Sequence, residues 1–580
     1  MSKLMTFSRA EQDQTQTLKA DRLALVALFI VIVGLWIPRS AGPLDVRWDG
    51  AVYYALGTSI AEGKGYRLLY EPGEIEAIQY PPLLPLVAAI PQAVLGTSDP
   101  VIVGRWLKLL FFCFHASLAF ATYFLLKRFV PRWLAFGGAV ALLLNVQVTF
   151  YSNLFFAEVP FGLATVLFAL CNRGRHRVHE ALAAVLAVSA FLLRTAGAAL
   201  LAAWVAESLV KREFGRAAVR LLISAIPVLG WNAYVWHVEH SPAYTTPAYA
   251  YQRAPYLNYN VSYATNISLV DAYSPDSGKA SVGQLARRVL RNSLHMGVSL
   301  GEAVSDSRGY WHHRLNVDGL PSPVSKMVSR RLFYVPLILL GGLIAGGAAF
   351  LIRRGEVFIP LYILTSATLM CLTPWPDQFP RYLVPVAPFL LASLFSGALG
   401  LGSWLRLSRR NLVRTCAPIP ALIVLALMFD AEVHSLSKMY SSHLDIVRSE
   451  TWDGRVVDYR VFYYTAASKS LDDALGWLKQ RTKPADVVAT SMPHWAYVRE
   501  GLKAVRPPLE SDSGRTQTLL DSVPVAYIIL RPENDGKAIN EYFFPFVQSS
   551  PHAWKSVYVD EQQLVLVYQR VRSDAEDKRK

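Results

Sequence analysis

Four charged side chains stand where this chain is otherwise apolar or aromatic: Asp49 in "DVRWDGAVYYALG", Glu158 in "NLFFAEVPFG", Arg194 in "FLLRTAGAAL" and Arg381 in "PDQFPRYLVPV". A guanidinium is always charged and grips phosphate oxygens in a bidentate fork. A carboxylate at a polar boundary takes a proton from a hydroxyl or ligates a divalent ion. Each also has a plainer role open to it. Asp49 suits a helix N-cap, Glu158 a first-turn acid facing a helix dipole, and Arg381 a side chain snorkelling to an interface.

The elements that must position these residues belong to a membrane protein. Of 580 residues, 53% are hydrophobic and only 17% are charged, a composition outside the soluble average. Apolar runs of spanning length, roughly 17 to 25 residues, recur from Leu23 to about Phe429, and the chain turns polar after Asp430. This divides it into a transmembrane body over 1–430, with large loops at 38–100 and 238–330, and a soluble region over 431–580. The net charge of +15 does not signal nucleic acid, because the basic residues gather in short connections: Lys127 to Arg132, Arg173 to Arg177, Lys211 to Arg220, Arg353 with Arg354, and Arg406 to Arg414. That is the positive-inside pattern. Cys113, Cys171, Cys371 and Cys416 lie in or beside apolar segments without metal-ligand spacing and read as buried thiols.

Charge parity sets the expected topology. Spans near 23–37, 101–126, 133–150, 154–171, 218–237, 331–352, 356–372, 383–403 and 415–430 keep every basic connection inside. The proline-rich run at 80–96 is too short to cross and is placed at the outer interface. Residues 180–212 carry basic flanks at both ends and Arg194 in the middle, which predicts a re-entrant hairpin of two half-length helices meeting near Arg194. About nine full spans and one hairpin result, a mainly α polytopic bundle. Asp49, Glu158, Arg194 and Arg381 then share the outer level, and the C-terminal region lies outside with them.

The ordered motifs, an Asp-bearing first outer loop with "GKGY", then "YPPLLPLVAAI", "VGRWLKLLFF", "NLFFAEVPFGLATVLFAL", "FLLRTAGAALLAAW" and "PRYLVPVAPFLL", resemble the polytopic GT-C glycosyltransferases. The pattern is similar to protein O-mannosyltransferases and to bacterial lipid A aminoarabinose and lipopolysaccharide galacturonic acid transferases, over roughly residues 20–405. The resemblance implies an integral enzyme of a bacterial inner membrane, working on the periplasmic face with a polyprenyl-phosphate sugar donor and a lipid, glycan or protein acceptor. It also implies a catalytic acid in the first outer loop, where Asp49 is the positional match. Two departures stand out: Gly50 follows Asp49 where those families commonly have an Asp-Glu pair, and Ile78 and Gln79 precede Tyr80 where the aminoarabinose transferases have an acid and a lysine. Neither the sugar nor metal use is therefore implied.

Transfer from a polyprenyl phosphate needs few protein groups. The leaving phosphate is a weak base and wants positive charge, a role for Arg194 and Arg381. The acceptor hydroxyl wants a base, which contributes about 100- to 10,000-fold; one base and one displacement imply inversion through an oxocarbenium-like state. Tyr53, Tyr80 and Tyr382 are candidate sugar-pocket residues beside Glu158, with Asp49 and Glu158 the candidate ligands if a divalent ion takes part. The region after 430 reads as a small α/β domain, helical over "SKSLDDALGWLKQR" and strand-like at "DVVAT", "VAYIIL", "SVYV" and "LVLVYQ". His494 within it is a candidate acceptor contact. A transporter or flippase of lipid-linked sugars is the alternative function, since it shares the hydropathy and the intramembrane arginine; no inverted repeat supports it.

Overall fold

The computed structural model describes residues 2–571 except 175, 255–259, 275–276, 316–331, 406–417, 533 and 563. Arg175, the basic cluster from Arg406 to Arg414 and Cys416 lie outside the described residues. Among the described residues, six helices are long and apolar enough to cross a membrane: Leu18–Arg39, Pro100–Leu126, Phe214–Glu239, Tyr334–Arg353, Pro376–Ser403 and Ile419–Ser442. A seventh arises if Arg132–Leu144 and Val146–Ser152, bent by 59°, count as one span.

In chain order the helices used below are α1 (Ser2–Trp36), α2 (Asp49–Ala61), α3 (Leu83–Leu95), α4 (Pro100–Leu126), α5 (Arg132–Leu144), α6 (Val146–Ser152), α7 (Glu158–Cys171), α8 (Arg177–Leu193), α9 (Ala198–Val210) and α10 (Phe214–Glu239). Then follow α11 (Tyr263–Ser268), α12 (Val282–Ser305), α13 (Tyr334–Arg353), α14 (Phe358–Cys371), α15 (Phe379–Leu383), α16 (Ala387–Leu405) and α17 (Ile419–Ser442). The predicted spans at 154–171 and 356–372 are the short helices α7 and α14, each of 14 residues. At 1.5 Å per residue they are only about 21 Å long, well under the bilayer core. In α3 Leu86, Ile90 and Val94 are exposed along one face, as befits a short apolar helix that does not cross.

The stretch 180–212 is two helices broken at Arg194. Their remote ends meet on one side, where Arg216, just beyond α9, bonds Glu180 at 3.0 Å. The arms are longer than half-length: α8 has 17 residues and α9 has 13, roughly 26 and 20 Å. Of the cysteines, Cys371 is buried, Cys171 intermediate and Cys113 exposed. The expectation of buried thiols fails for Cys113 because it sits on the outward flank of α4, where an apolar thiol needs no protein neighbour. Helices α13 and α16 pack backbone to backbone: a Cβ on Gly347 would collide with the Ser393 carbonyl, and one on Gly397 with that of Leu343, the close approach small residues permit in lipid.

The last long helix runs on to Ser442, where the sheet region starts with a hairpin of β1 (Leu444–Glu450) and β2 (Val456–Phe462). A five-stranded sheet follows, built from β3 (Val487–Ala489), β4 (Ala504–Val505), β5 (Val525–Leu530), β6 (Trp554–Val559) and β7 (Leu566–Arg570) in the order β4-β3-β5-β7-β6. Strands β4, β3 and β5 are parallel, while β7 and β6 are antiparallel. Every residue of β5 is buried, as expected of a central strand covered on both faces. Helices α18 (Ala466–Lys479), α19 (Pro493–Glu500) and α20 (Ser513–Asp521) accompany the sheet. The region is fastened to the membrane body by polar contacts. Arg47 donates to the carbonyls of Phe462 and Tyr463 at 2.8 and 3.1 Å, the Ala504 amide donates to Tyr70 O at 2.8 Å, and the Trp452 amide donates to Asp99 Oδ2 at 2.6 Å. Asp99 also caps α4 through its Oδ1.

Candidate functional site

The loops before α2 and α7 are stitched together by a parallel bridge between Asp45 and Leu154. The Asp45 amide donates to Asn153 O at 3.2 Å and the Phe155 amide to Asp45 O at 2.8 Å. Arg47 anchors the same loop by chelating the Asp45 carboxylate, with Nη2 to Oδ2 at 2.6 Å. Two helices consequently start side by side, and their first residues are Asp49 and Glu158. Gly50 lies in the seam: a Cβ there would sit 3.3 Å from the Phe155 carbonyl, a tight contact that a side chain at this position must press against. Trp48 takes the left-handed region at φ 54°, a strained conformation for a bulky residue, directly before Asp49.

All four charged residues singled out above converge. Glu158 Oε1 receives Arg194 Nη1 at 2.7 Å and Arg381 Nε at 2.5 Å, and Arg381 Nη2 reaches Asp49 Oδ2 at 2.7 Å. The result is a chain of alternating charge, Arg194, Glu158, Arg381, Asp49. The plainer roles fare unevenly. Asp49 is the first helical residue with its carboxylate on Arg381, so it does not cap the helix. Arg381 is paired and largely enclosed instead of snorkelling. Glu158 does occupy a first turn, but its carboxylate is committed to the two arginines. Its side chain is 1% exposed while that of Asp49 is 21% exposed. Glu158 therefore orients the guanidiniums from beneath, and Asp49 faces the open side.

Each charge stands at an element end. Arg194 is the extended residue between α8 and α9, φ −159° and ψ 132°; Arg381 lies in α15, a five-residue helix that carries Pro380 in its first turn and passes through a turn with Pro385 into α16. Aromatic rings wall the arginines. Tyr382 lies 5.0 Å from the Arg194 guanidinium, and Phe156 and Tyr151 lie 4.6 and 5.7 Å from that of Arg381. A cavity of about 180 Å³ opens from Arg194, Tyr263, Trp375 and Tyr382 and continues between Phe161, Ala199, Ile267, Leu369, Met370 and Val386. One end is cationic and phenolic; the rest is mostly apolar, with the hydroxyl residues Tyr362, Ser366 and Thr373 set into it. Burial pushes the Tyr263 phenol up while the Arg194 guanidinium pulls it down.

Among the remaining candidates, Tyr53 packs against Tyr80 with ring centres 4.7 Å apart and against Phe155 edge-on at 6.4 Å. Both tyrosines are nearly buried and support α2 beneath Asp49. His494 is not brought to the cluster: it is wholly buried under the sheet region beside Tyr70, 6.1 Å between rings, where burial first and Arg506 next lower its pKa to about 3. The flanking "MPHWAYV" already carries the apolar character that buries it. Tyr151, Phe156, Tyr263 and Trp375 were not picked out from the sequence; only the tyrosine richness of 238–330 hinted at Tyr263. The candidate metal ligands Asp49 and Glu158 flank the Arg381 guanidinium, so a cation already stands between them. Among the described residues no three His, Cys, Asp or Glu side chains form a metal-holding group.

No protein-family model and no curated protein sequence matches the chain. Solved structures do. The archaeal oligosaccharyltransferase AglB from Archaeoglobus fulgidus, in complex with an inhibitory peptide and a dolichol-phosphate, matches with a TM-score of 0.50 at 13% identity, over 96% of this chain and 74% of that one. The apo form of the Archaeoglobus fulgidus oligosaccharyltransferase matches at 0.50 and 14%, over 88% and 70%. ArnT from Cupriavidus metallidurans bound to undecaprenyl phosphate gives 0.48 and 12%, over 95% and 98%.

Proposed function

The fold is GT-C-like, and from that premise we propose that the protein is a membrane glycosyltransferase that moves a sugar from a polyprenyl-phosphate donor to a hydroxyl of a lipid, glycan or protein acceptor. The observation that carries the reading is the charge chain of Arg194, Glu158, Arg381 and Asp49 abutting an apolar cavity. A polyprenyl phosphate has the matching two-part character, an anion on a hydrocarbon tail. Arg194 and Arg381 hold the phosphate through charge-assisted hydrogen bonds, and the first isoprene units enter between Ile267, Leu369 and Met370. The phosphate needs no proton to leave. The acceptor oxygen bonds to the anomeric carbon as the bond from that carbon to the phosphate oxygen breaks; the phosphate keeps the electron pair, and Asp49 takes the hydroxyl proton. A single displacement inverts the anomeric centre. Tyr382, at the cavity beside Arg194, shapes the sugar side of the pocket, and Tyr53 and Tyr80 back Asp49 from beneath. The protein sits in a bacterial inner membrane with this site and the sheet region on the periplasmic side.

The test is Asp49→Asn, which keeps the side-chain shape and removes the basicity. Expected is a loss of transfer of at least 100-fold with a purified polyprenyl-phosphate sugar, with the melting temperature within about a degree or two of wild type. Transfer close to wild type would refute the assignment.

A further inference from the structure

The sheet region holds a second cavity, about 310 Å³, at a place with its own logic. Strands β4, β3 and β5 run parallel, and the chain passes from β3 to β4 on one side and then across to β5 on the other. The crevice beyond the carboxyl ends of strands at such a reversal is where open α/β sheets take ligands. Here those ends carry Ser491, Arg506 and Arg531. The floor is pinned by Asp535, which accepts from Ser491 Oγ at 2.5 Å and from Arg531 Nε at 3.0 Å, while Arg531 Nη2 donates to Ser491 Oγ at 2.9 Å. Arg506 and Lys537 line the cavity above this floor together with the Gly536 backbone, and its far wall is Asp271 and Tyr273 from the 238–330 loop. Two cations and the Asp271 carboxylate line the cavity, and Lys537 lies 4.0 Å from Glu541 beside it.

The crevice also adjoins the transfer site. The Tyr273 ring lies 6.4 Å from that of Trp375, and Trp375 lines the cavity at Arg194. Burial raises the Tyr273 phenol, Arg506 pulls it down, and Asp49 pushes it up, so Tyr273 lies within the fields of both sites.

We propose that this crevice binds an anionic group, a phosphate or carboxylate, of the acceptor, with Arg506 and Lys537 as its cations and the Gly536 backbone as a hydrogen-bonding partner, and so holds the acceptor with a hydroxyl toward Asp49. That the ligand is an acceptor rests on the transferase reading; that the crevice takes an anion does not. An anchor beside the reaction centre gives orientation without adding any group to the chemistry.

The experiment uses the full-length protein in detergent with its donor site first filled by undecaprenyl phosphate. Glucose 6-phosphate and glucuronate are titrated separately by calorimetry, and the tighter arm identifies phosphate or carboxylate. Lys537→Glu, whose side chain is 93% exposed and whose replacement leaves packing alone, is expected to weaken anion binding at least tenfold, as is Arg506→Gln. The exposed Lys555→Glu on β6 is expected to leave it unchanged. Undecaprenyl phosphate binding should be the same in all four proteins. Wild-type protein that binds neither anion, or Lys537→Glu that binds as wild type does, overturns the proposal. Full transfer by Asp49→Asn removes the acceptor role while leaving the anion titration readable, so the two failures are told apart.

Discussion

Arg381→Lys separates a phosphate-gripping arginine from a merely structural one. Arg381 bridges two carboxylates through different nitrogens, Nε to Glu158 at 2.5 Å and Nη2 to Asp49 at 2.7 Å. An ammonium keeps the charge but has no planar fork and cannot hold Glu158 with one nitrogen while presenting another to Asp49 or, in its place, to the phosphate. One charge-assisted hydrogen bond is then lost, about 1.5–3 kcal/mol in a shielded setting, or roughly a 10- to 150-fold fall in kcat/KM. The lower half of that range is expected, because Asp49 is 21% exposed and water replaces part of its pairing. Stability should move little. Glu158 retains Arg194, so neither Arg381→Lys nor Arg381→Ala leaves the buried carboxylate unpaired, the situation that costs about 3–5 kcal/mol. The assay is kcat/KM and direct binding for a polyprenyl-phosphate sugar beside a thermal melt. Wild-type kcat/KM and donor affinity for Arg381→Lys would refute the reasoning, as would an Arg381→Ala protein that loses its fold and nothing else.

Glu71 is buried in the loop between α2 and α3 against Gln252, 2.9 Å away, and burial raises its pKa to about 7 from 4.5. A folded-state value above the unfolded one means stability fully present below about pH 4.5 and lost as pH rises to 7, by roughly 3 kcal/mol. Melting curves from pH 4.5 to 8 should show this slope, and Glu71→Gln should flatten it. Single cysteines at Glu180 and Lys211, in a background without native cysteines, should both resist an impermeant thiol reagent applied on the side where a cysteine at Lys483 reacts; labelling of either refutes the hairpin topology. Gly50→Val should press on the Phe155 carbonyl, costing about 1–3 kcal/mol of overpacking and lowering kcat/KM, and an unchanged kcat/KM would show that the seam between α2 and α7 does not set the Asp49 position.

Much of this arrangement was legible because it is written locally. An arginine between two apolar runs announces its own break, and an acid beside a proline announces a helix start. The pairings were not legible: Asp49 and Arg381 are 332 positions apart, and the sequence places them only at a common level. Hydropathy also fails to tell lipid-facing from buried positions, since lipid is as apolar as leucine. Along α4, Trp106 and Leu109 are exposed while Phe111 is fully buried, and the run "RWLKLLFFCFH" does not distinguish them. Among the described residues fewer helices reach spanning length than the nine crossings parity suggests, because parity counts crossings without measuring them, and α7 and α14 are short. In the sheet region the buried run of β5 stood out, whereas the β1–β2 hairpin did not, because its alternate residues face solvent and their polarity resembles that of a loop.

The alternation of charge suggests how a resting site becomes a reacting one on the proposed reading. With two carboxylates on two guanidiniums the cluster is neutral, and neutral pairing is the form in which charges are kept at low exposure. An arriving phosphate must compete for the same guanidinium faces. Glu158 is the harder acid to displace, being buried and shared by both arginines; Asp49 has one partner and access to water. The phosphate therefore takes the Arg381 face that Asp49 occupies, and Asp49 is released with its charge uncompensated just as the donor becomes bound. Released from Arg381, the Asp49 carboxylate is free to accept the acceptor's hydroxyl hydrogen bond and then its proton, which on this reading ties acceptor engagement to donor binding. This order fixes a sign for Asp49→Asn beyond its loss of transfer. Because the amide competes less for Arg381 than the carboxylate does, the variant should bind undecaprenyl phosphate as tightly as wild type or more so, and weaker binding would mean that Asp49 helps hold the donor instead of yielding to it.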